Sequence, residues 1–292
     1  MMQPLLNWIQ AARIPSVINI LIPILFGVSF SIHSVTNFEF FLLLFLSFLF
    51  SLTIVFLNDV ADVQADKNNS NYTLYSGGSR VIQDNKLSQK SIEIAGYSIA
   101  MLLVIIGVVI SVLTKNTYLF LYPIASILLL FCYSYPPLKL NYRGGGELLQ
   151  GIGCGIVLPM FGFSLYSGSH LFDFSILLPY CALHTASSIG TSLPDTEADI
   201  KSNKKTVAAI YGKEIGSFIA ATIIIMTTII AFLIKPSFSS SYLLFGFMIP
   251  LILPVIQCTL IPIMKRKRIA VFFSGMLPLL AVVSFSLGRI LP

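Results

Sequence analysis

The chain carries very little charge. Asp, Glu, Lys and Arg together make up only 10% of its 292 residues, whereas 56% of the residues are apolar, and the mean hydropathy is +0.88. So little polar surface cannot cover a water-soluble globule. The shortage of charge therefore excludes a soluble protein and predicts an integral membrane protein.

Cysteine is also scarce. The four cysteines lie inside apolar runs and at no spacing typical of a metal site, so we expect them to pack as small apolar side chains and to form no disulfide framework. Residues 1–14 lack a basic region followed by a short apolar core and a small-residue cleavage site. We therefore expect no cleaved signal peptide.

Long apolar runs are what the sequence has in abundance. Each is about twenty residues long, which is the length that crosses a hydrocarbon core as an α-helix. Strands of a β-barrel would be about half as long and would alternate apolar with polar residues. The sequence predicts an all-α polytopic membrane protein with nine transmembrane helices, at residues 17–33, 38–57, 92–113, 117–135, 148–167, 173–193, 214–234, 242–263 and 269–290.

The basic residues predict how these helices are oriented. If the N-terminus lies on one side, 15 of the 18 Lys and Arg residues share that side, and only Lys115, Lys235 and Arg289 lie on the other. Basic residues beside membrane helices stay in the cytoplasm. The N-terminus is thus predicted to be cytoplasmic and the C-terminus outside. Basic loops beside anionic lipid also explain the net charge of +6, so no nucleic-acid partner is expected.

Six of the 12 acidic residues form two clusters, one after the second apolar run and one after the sixth. Asp59, Asp62 and Asp66 are spaced i, i+3, i+7, and Asp195 and Asp199 are spaced i, i+4, so each set lies on one helical face. The carboxylates of each row repel one another unless a divalent cation lies between them, and Mg²⁺ takes hard oxygen ligands. The alternative is that the acids only mark a membrane boundary, which basic residues would serve better. We predict Mg²⁺ sites on the cytoplasmic side.

A loop that contains glycine and cations follows the first acid row. Gly77 and Gly78 can turn backbone N–H groups towards an anion, and Arg80 can add a bidentate phosphate contact. The loop is not a Walker motif, since no Gly-Lys-Ser/Thr follows, and a flexible Gly-Ser turn is the alternative. Further cations are predicted on the same side, in the loops after the fourth and sixth runs: Lys139, Arg143, Lys201, Lys204 and Lys205.

Acid rows with cations around them describe a site for a Mg²⁺-bridged diphosphate. A soluble nucleotide would not need nine membrane helices, whereas the hydrocarbon tail of a long isoprenoid diphosphate needs an apolar environment. Loss of diphosphate from an allylic carbon leaves a carbocation, and the 23 Phe and 12 Tyr offer π faces to shield it. A secondary transporter is an alternative, but it would carry its ionisable groups near the bilayer midplane rather than at helix ends.

Three stretches together resemble the UbiA superfamily of intramembrane prenyltransferases. They are residues 58–66, 133–140 and 195–199, in that order and at the ends of predicted helices. The resemblance covers nearly the whole chain, including the count of nine helices. It implies a ring of nine helices around a central cavity, with a side opening through which the prenyl tail enters from the lipid.

The acceptor is less specifically indicated than the donor. Residues 142–147, Tyr-Arg-Gly-Gly-Gly-Glu, look most like the 1,4-dihydroxy-2-naphthoate polyprenyltransferases of menaquinone synthesis. The Pro-Pro-Leu-Lys element at 136–139 is also similar to chlorophyll synthases and homogentisate prenyltransferases. Residues 76–80, Ser-Gly-Gly-Ser-Arg, depart from the Gly-Pro-rich loop of many naphthoate enzymes.

The resemblance also implies roles for individual residues. One Mg²⁺ would be held by Asn58, Asp59, Asp62 and Asp66, and a second by Asp195 and Asp199. The diphosphate would be contacted by Arg80, Lys139 and Arg143. The remaining substrate-binding residues would be Tyr133 and Lys201, with Arg13 and Asn19 near the acceptor pocket.

The predicted reaction is Mg²⁺-dependent transfer of a prenyl group from a polyprenyl diphosphate to an aromatic acceptor, such as 1,4-dihydroxy-2-naphthoate, with release of diphosphate. The alternatives are a terpene cyclase of the same superfamily and transfer to a non-aromatic lipid acceptor. The whole chain, 1–292, is expected to be one domain. Within it, spans two and six both end in an acid row and are four spans apart. That pattern indicates two parallel four-helix repeats plus a ninth helix.

Overall fold

The chain is helical in a computed structural model, and the residues that the structure describes contain no strand. These residues are 2–31, 36–67, 69, 77–167, 174–235, 237 and 239–291. The α-helices are α1 Met2–Ala11, α2 Ile18–Val28, α3 Asn37–Ala61, α4 Val63–Lys67, α5 Gln89–Thr114, α6 Leu121–Ser134, α7 Gly146–Ile152, α8 Leu158–Ser167, α9 Phe174–Ser192, α10 Thr196–Lys201, α11 Val207–Tyr211, α12 Lys213–Ile234, α13 Ile249–Leu260 and α14 Arg268–Ile290. Two π-helical segments, Gly153–Val157 and Tyr242–Met248, lie directly before α8 and α13. The predicted all-α class is confirmed.

Seven helical segments in the described part of the chain are long and apolar enough to cross a membrane. They are Gln3–Val28, Asn37–Ala61, Gln89–Thr114, Gly146–Ser167, Lys213–Ile234, Tyr242–Ile263 and Arg268–Ile290. The fourth and sixth predicted runs correspond to α6 and α9, which are not among the seven. Helix α6 has only 14 residues, and α9 carries His184 and several hydroxyl groups. The prediction of an integral membrane protein is confirmed.

Local sequence explains where the helices that lead to the acid rows begin and end. Helix α3 begins with a capping box, in which the Thr36 hydroxyl accepts from the Glu39 N–H and the Glu39 carboxylate accepts from the Thr36 N–H. Helix α6 ends at Ser134, just before the Pro136-Pro137 pair, because proline lacks the N–H that would continue the helix.

Helix α9 is largely buried and packs against α7, α12 and α14. The Tyr180 ring stacks on Phe26 of α2 with 3.8 Å between centroids. A Cβ atom added to Gly155 would lie 2.3 Å from the Cys181 Cα, so the π-helical segment approaches α9 as closely as only glycine allows. On the outside of the bundle, side chains such as Leu113 and Leu233 are more than 70% exposed, as suits a surface against lipid tails.

The C-terminal ends of α3, α6 and α9 meet at one end of the bundle. The hydroxyl of Ser134, the last residue of α6, donates to the Asn58 side-chain oxygen of α3 at 2.9 Å. The side-chain amide of Asn69 donates to a carboxylate oxygen of Asp195, which follows α9, at 2.7 Å. These contacts bring the two predicted acid rows to the same place.

Candidate active site

The first acid row keeps an almost continuous helical path. Helix α3 ends at Ala61 and α4 begins at Val63, so that Asp62 alone interrupts it, and the Asp62 and Asp66 N–H groups bond to the carbonyls four residues earlier at 2.9 Å. The side chains of Asp59, Asp62 and Asp66 are all buried. The i, i+3, i+7 spacing therefore produces the single row of carboxylates that it predicts.

Asp62 is the most densely contacted carboxylate of this row. The Lys204 ammonium lies 2.8 Å from its Oδ2, and the Tyr142 hydroxyl donates to its Oδ1 at 3.1 Å. The Asn58 amide adds a longer hydrogen bond of 3.4 Å. Burial lowers the pKa of Lys204, but Asp62, Tyr133 and Asp199 raise it by more, so this pKa lies above its ordinary value and the ammonium stays charged.

The glycine-containing loop closes over the other two carboxylates. The Ser79 N–H donates to Asp59 Oδ2 at 3.0 Å, and Arg13 Nη1 lies 3.8 Å from Asp59 Oδ1. Gly78 has a left-handed φ of 72°, and a Cβ atom there would lie 2.2 Å from Asp66 Oδ2. The Arg80 guanidinium donates to the main-chain carbonyl of Asp66. Only glycine at position 78 permits this close approach.

The pKa of Asp66 is raised by this enclosure. Burial is the main cause, and the neighbouring carboxylates of Asp62 and Asp59 add to it, so that the pKa of Asp66 rises to about 8. Two carboxylates held together without a metal ion repel each other and favour a bound proton. A cation between them would remove that repulsion.

The second acid row lies at the start of α10. The Asp199 N–H bonds to the Asp195 carbonyl at 2.9 Å, and the Thr206 hydroxyl donates to Asp199 Oδ2 at 3.1 Å. Burial raises the pKa of Asp199 to about 7, Lys204 opposes this shift, and Asp195 adds to it. Because Lys204 also contacts Asp62, its ammonium is shared electrostatically between the two rows.

Two cavities meet at this end of the bundle. The first, which we call the head compartment, measures about 160 Å³ and is lined mainly by polar residues, including Asp62, Asp66, Asp195, Asp199 and Lys204. The second, which we call the apolar cavity, measures about 290 Å³ and is lined largely by aliphatic side chains of the bundle. Five residues line both: Arg13, Asn58, Tyr133, Gln150 and Thr191. The combined space fits a molecule with a charged head and a hydrocarbon body.

The remaining predicted site residues are distributed unevenly. Asn19 lines the apolar cavity, and Arg13 and Tyr133 line both spaces. Lys139 lies over the Tyr142 ring at 3.8 Å, Arg143 and Lys201 are exposed, and none of these three cations lines either space. Asp59 and Arg80 also lie outside the lining, behind Asp66 and the loop. Residues 68 and 70–76, which precede Gly77 in the predicted loop, fall outside the described residues.

Sequence reasoning did not single out Lys204 or Tyr142 as site residues. Lys204 was one of several loop cations, and nothing in the local pattern distinguished it from Lys205. Its position follows from a main-chain hydrogen bond of its N–H to the Asp199 carbonyl, 2.9 Å long, which turns the chain back towards the acid rows. The proximity of Lys204 to Asp199 in sequence was the only available signal.

The donor set fits a hard divalent cation. Among the described residues, no group of three or more carboxylate, imidazole or thiol side chains is placed so that it could hold a metal ion by itself. Mg²⁺, however, is commonly held by one or two carboxylates with water and phosphate oxygens. Asp62, Asp66, Asp195 and Asp199 line the head compartment and offer such oxygens, whereas the buried Asp59 Oδ1 lies 3.8 Å from Arg13 Nη1 and outside the lining.

Comparison with known proteins identifies the fold. A structure of a UbiA homolog from Archaeoglobus fulgidus bound to GPP and Mg²⁺ matches with a TM-score of 0.69 and 15% identity, over 97% of this chain and 99% of that one. A structure from work on digeranylgeranylglyceryl phosphate synthase matches with a TM-score of 0.62 and 19% identity, over 99% of both chains. The apo structure of a UbiA homolog from Aeropyrum pernix K1 matches with 0.58 and 15%, over 92% of this chain and 96% of that one.

The sequence itself carries a family signature as well. No curated protein matches the chain significantly. The model of the UbiA prenyltransferase family, in contrast, matches residues 20–283, which is most of the chain and includes both acid rows. The predicted enzyme class, a prenyltransferase, is confirmed, and the chain belongs to the UbiA prenyltransferase family.

Proposed function

We propose that this protein transfers the prenyl group of a polyprenyl diphosphate to an aromatic acceptor, such as 1,4-dihydroxy-2-naphthoate, in a Mg²⁺-dependent reaction. The observation that carries the proposal is the junction of a head compartment, lined by five carboxylates, a lysine and an arginine, with a larger apolar cavity. A prenyl diphosphate has the same two parts. Solved UbiA homologs from Archaeoglobus fulgidus with GPP or DMAPP and Mg²⁺ support this donor class and metal.

The two acid rows are the proposed metal ligands. Asn58, Asp59, Asp62 and Asp66 would hold one Mg²⁺, and Asp195 and Asp199 a second. Bound Mg²⁺ supplies positive charge to the diphosphate oxygens and makes diphosphate a better leaving group. Lys204 is the proposed direct diphosphate contact, because its ammonium lies inside the head compartment and within reach of both rows. Arg13 adds a second cation at the junction.

The proposed reaction breaks the bond between C1 of the prenyl group and the diphosphate oxygen. The electron pair of that bond leaves with diphosphate, and C1 becomes the end of an allylic cation. An aromatic carbon of the acceptor then forms the new bond to C1 and loses the substituent it carried, a proton in the simplest case. Tyr133 lines both compartments, so its ring can stabilise the cation at the junction.

We also propose nine membrane spans in a ring around the cavity, with α6 and α9 as the fourth and sixth. Polar side chains of both helices, such as Ser126 and His184, line the apolar cavity rather than face lipid. The 15 to 3 split of basic residues supports a cytoplasmic N-terminus and site, and an external C-terminus. The single domain would comprise two parallel four-helix repeats and a ninth helix, in the cell's inner membrane.

Product analysis with purified protein tests the proposal. Labelled geranyl and longer prenyl diphosphates are incubated with Mg²⁺ and, in parallel, with 1,4-dihydroxy-2-naphthoate, with a glycerol-based lipid alcohol, or with no acceptor. We expect a prenylated aromatic product and equimolar diphosphate in the first reaction only. A cyclic hydrocarbon formed without acceptor would identify a terpene cyclase, and a product from the lipid alcohol alone would identify a lipid prenyltransferase.

A further inference from the structure

Besides the Arg13 Nε atom at the junction, three buried polar atoms around the apolar cavity have no hydrogen-bond partner among the described residues. They are the hydroxyl oxygens of Ser51 and Ser126 and the Nε2 atom of His184. All three residues line the cavity and are 8% exposed or less. Proteins rarely leave such groups unpaired. A prenyl tail cannot pair with them, because it is a hydrocarbon.

The three residues share one depth in the bundle. Ser51, Ser126 and His184 lie on α3, α6 and α9, which all run towards the head compartment. Each is seven residues before a residue that lines both spaces, namely Asn58, Tyr133 and Thr191. Seven residues are two helical turns, so each pair shares one helical face and the layers are separated by about 10.5 Å. The unpaired groups thus form a polar layer below the junction.

We infer that this polar layer binds an oxygen substituent of the acceptor and so selects acceptors that carry two oxygens on opposite sides of an aromatic ring. The inference rests on the proposed function, in which C1 of the donor reacts at the junction. The acceptor would share the apolar cavity with the prenyl tail, extending from the junction, where its ring is attacked, to the polar layer, where its far hydroxyl finds a partner. The ring itself would lie among the aliphatic side chains between the two layers.

The dimensions suit this arrangement. The two oxygens of a 1,4-dihydroxy aromatic ring are about 5.5 Å apart, and a hydrogen bond of about 2.8 Å at each end extends the requirement to about 11 Å. This length is close to the separation of the two layers. A ring with one hydroxyl group can form a hydrogen bond with only one of the two layers.

His184 is the most specific member of the layer. Its neutral imidazole has one nitrogen that donates and one that accepts, so it can pair with a hydroxyl or a carbonyl oxygen. The Tyr180 ring packs edge-on against it, with 4.7 Å between centroids and an interplanar angle of 87°, which holds the imidazole plane. Tyr180 is itself fixed by a hydrogen bond of 2.7 Å between its hydroxyl and Ser286.

Two matched ligands test the inference. In purified protein with Mg²⁺ and saturating geranyl diphosphate, the Michaelis constant for the acceptor 1,4-dihydroxy-2-naphthoate is compared with the inhibition constant for its analogue 1-hydroxy-2-naphthoate, which lacks the far hydroxyl. We expect the wild type to prefer the dihydroxy compound by about 5- to 100-fold, the value of one buried hydrogen bond. His184→Leu should abolish this preference, His184→Gln should restore part of it, and the Michaelis constant for geranyl diphosphate should stay within about twofold.

The serines supply a matched control. Ser47 is on the same helix as Ser51, is equally buried and also has an unpaired hydroxyl, but it does not line the cavity. Ser51→Ala should therefore weaken the preference and Ser47→Ala should not. Equal effects of these two changes, or a His184→Leu variant that loses affinity for both ligands alike, would overturn the inference. A wild type that prenylates no aromatic acceptor would instead remove the proposed function itself.

Discussion

The Lys204 ammonium lies 2.8 Å from Asp62 Oδ2, and the two residues are 142 positions apart in the sequence. This ion pair joins the loop after α10 to the first acid row. Its partner side chains are both largely buried, so the charge of each is compensated mainly by the other. The pair holds the Lys204 ammonium at a fixed position beside the carboxylates of the head compartment.

Replacement of Lys204 by Met should therefore reduce turnover. One charge-assisted hydrogen bond in a shielded site is worth about 1.5–3 kcal/mol, which corresponds to about 10- to 150-fold in rate. Lys205→Met is the matched control, because Lys205 is exposed and lines neither cavity. Rates are measured by release of diphosphate. Equal losses of rate in the two variants would contradict a direct contact between Lys204 and the diphosphate.

A second prediction concerns the proposed metal ligands. Asp62→Asn and Asp195→Asn keep the side-chain shape but remove the charge, so turnover should fall at least about 100-fold, and excess chelator should abolish the activity of the wild type. Glu197→Gln serves as the control on α10, since Glu197 pairs with Lys213 and lines neither cavity. Expression and membrane insertion are checked for each variant. Full activity in chelator would remove the metal mechanism.

Gly78 should tolerate no side chain. Gly78→Ala would push a methyl group towards Asp66 Oδ2, and displacement of a ligand by about 1 Å commonly costs about 100-fold in rate. Gly144→Ala has a similar left-handed φ, 90°, but its added Cβ atom would meet nothing within 4 Å. The control should lose only about 1 kcal/mol of stability and keep its turnover. Comparable rates for both variants would contradict the close approach at position 78.

Mg²⁺ should bind more weakly as the pH falls. The pKa values of Asp66 and Asp199 are raised to about 8 and about 7, so below those values each carboxylate holds a proton that the metal must displace. Between about pH 8.5 and 6.5 the Mg²⁺ concentration for half-maximal activity should rise, by up to about tenfold per pH unit for each proton. Asp66→Asn should flatten the upper part of this profile. An unchanged Mg²⁺ requirement would show that the rows are already ionised at the lower pH.

Orientation is tested by accessibility. In a variant without the native cysteines, Lys205→Cys should react with an impermeant thiol reagent only from the cytoplasm, and Ser239→Cys only from outside. Both positions are exposed at loop ends. Labelling of the two cysteines from the same side would contradict the proposed nine-span arrangement.

The acid rows could be predicted from the sequence because helical periodicity alone places Asp59, Asp62 and Asp66 on one face. The contacts that complete the site could not, since they join distant segments. Asn69 meets Asp195 and Lys204 meets Asp62 only after the bundle has packed. Helical periodicity does not predict contacts between residues that are far apart in the sequence.

Helix boundaries could likewise be predicted where the local sequence defines them, and could not where it does not. The predicted third span, 92–113, lies within Gln89–Thr114, because uniform apolar sequence and a Ser88 cap define that helix locally. The predicted fourth span, 117–135, was longer than Leu121–Ser134, because residues 117–120 form turns despite their apolar character. The polar layer of Ser51, Ser126 and His184 was not recognised, since each residue alone resembles an ordinary polar group in a membrane helix.

The hydrogen bond from Asn69 to Asp195 has a consequence for biosynthesis. It spans 126 residues, so the ribosome must make several further membrane segments before the first acid row can meet the second. During that interval, the carboxylates of the first acid row lie at the membrane surface without the partners that they have in the folded protein. The ribosome adds about 5–20 residues per second. The site is thus completed late in synthesis, and a chain interrupted before α10 would lack both Asp199 and Lys204.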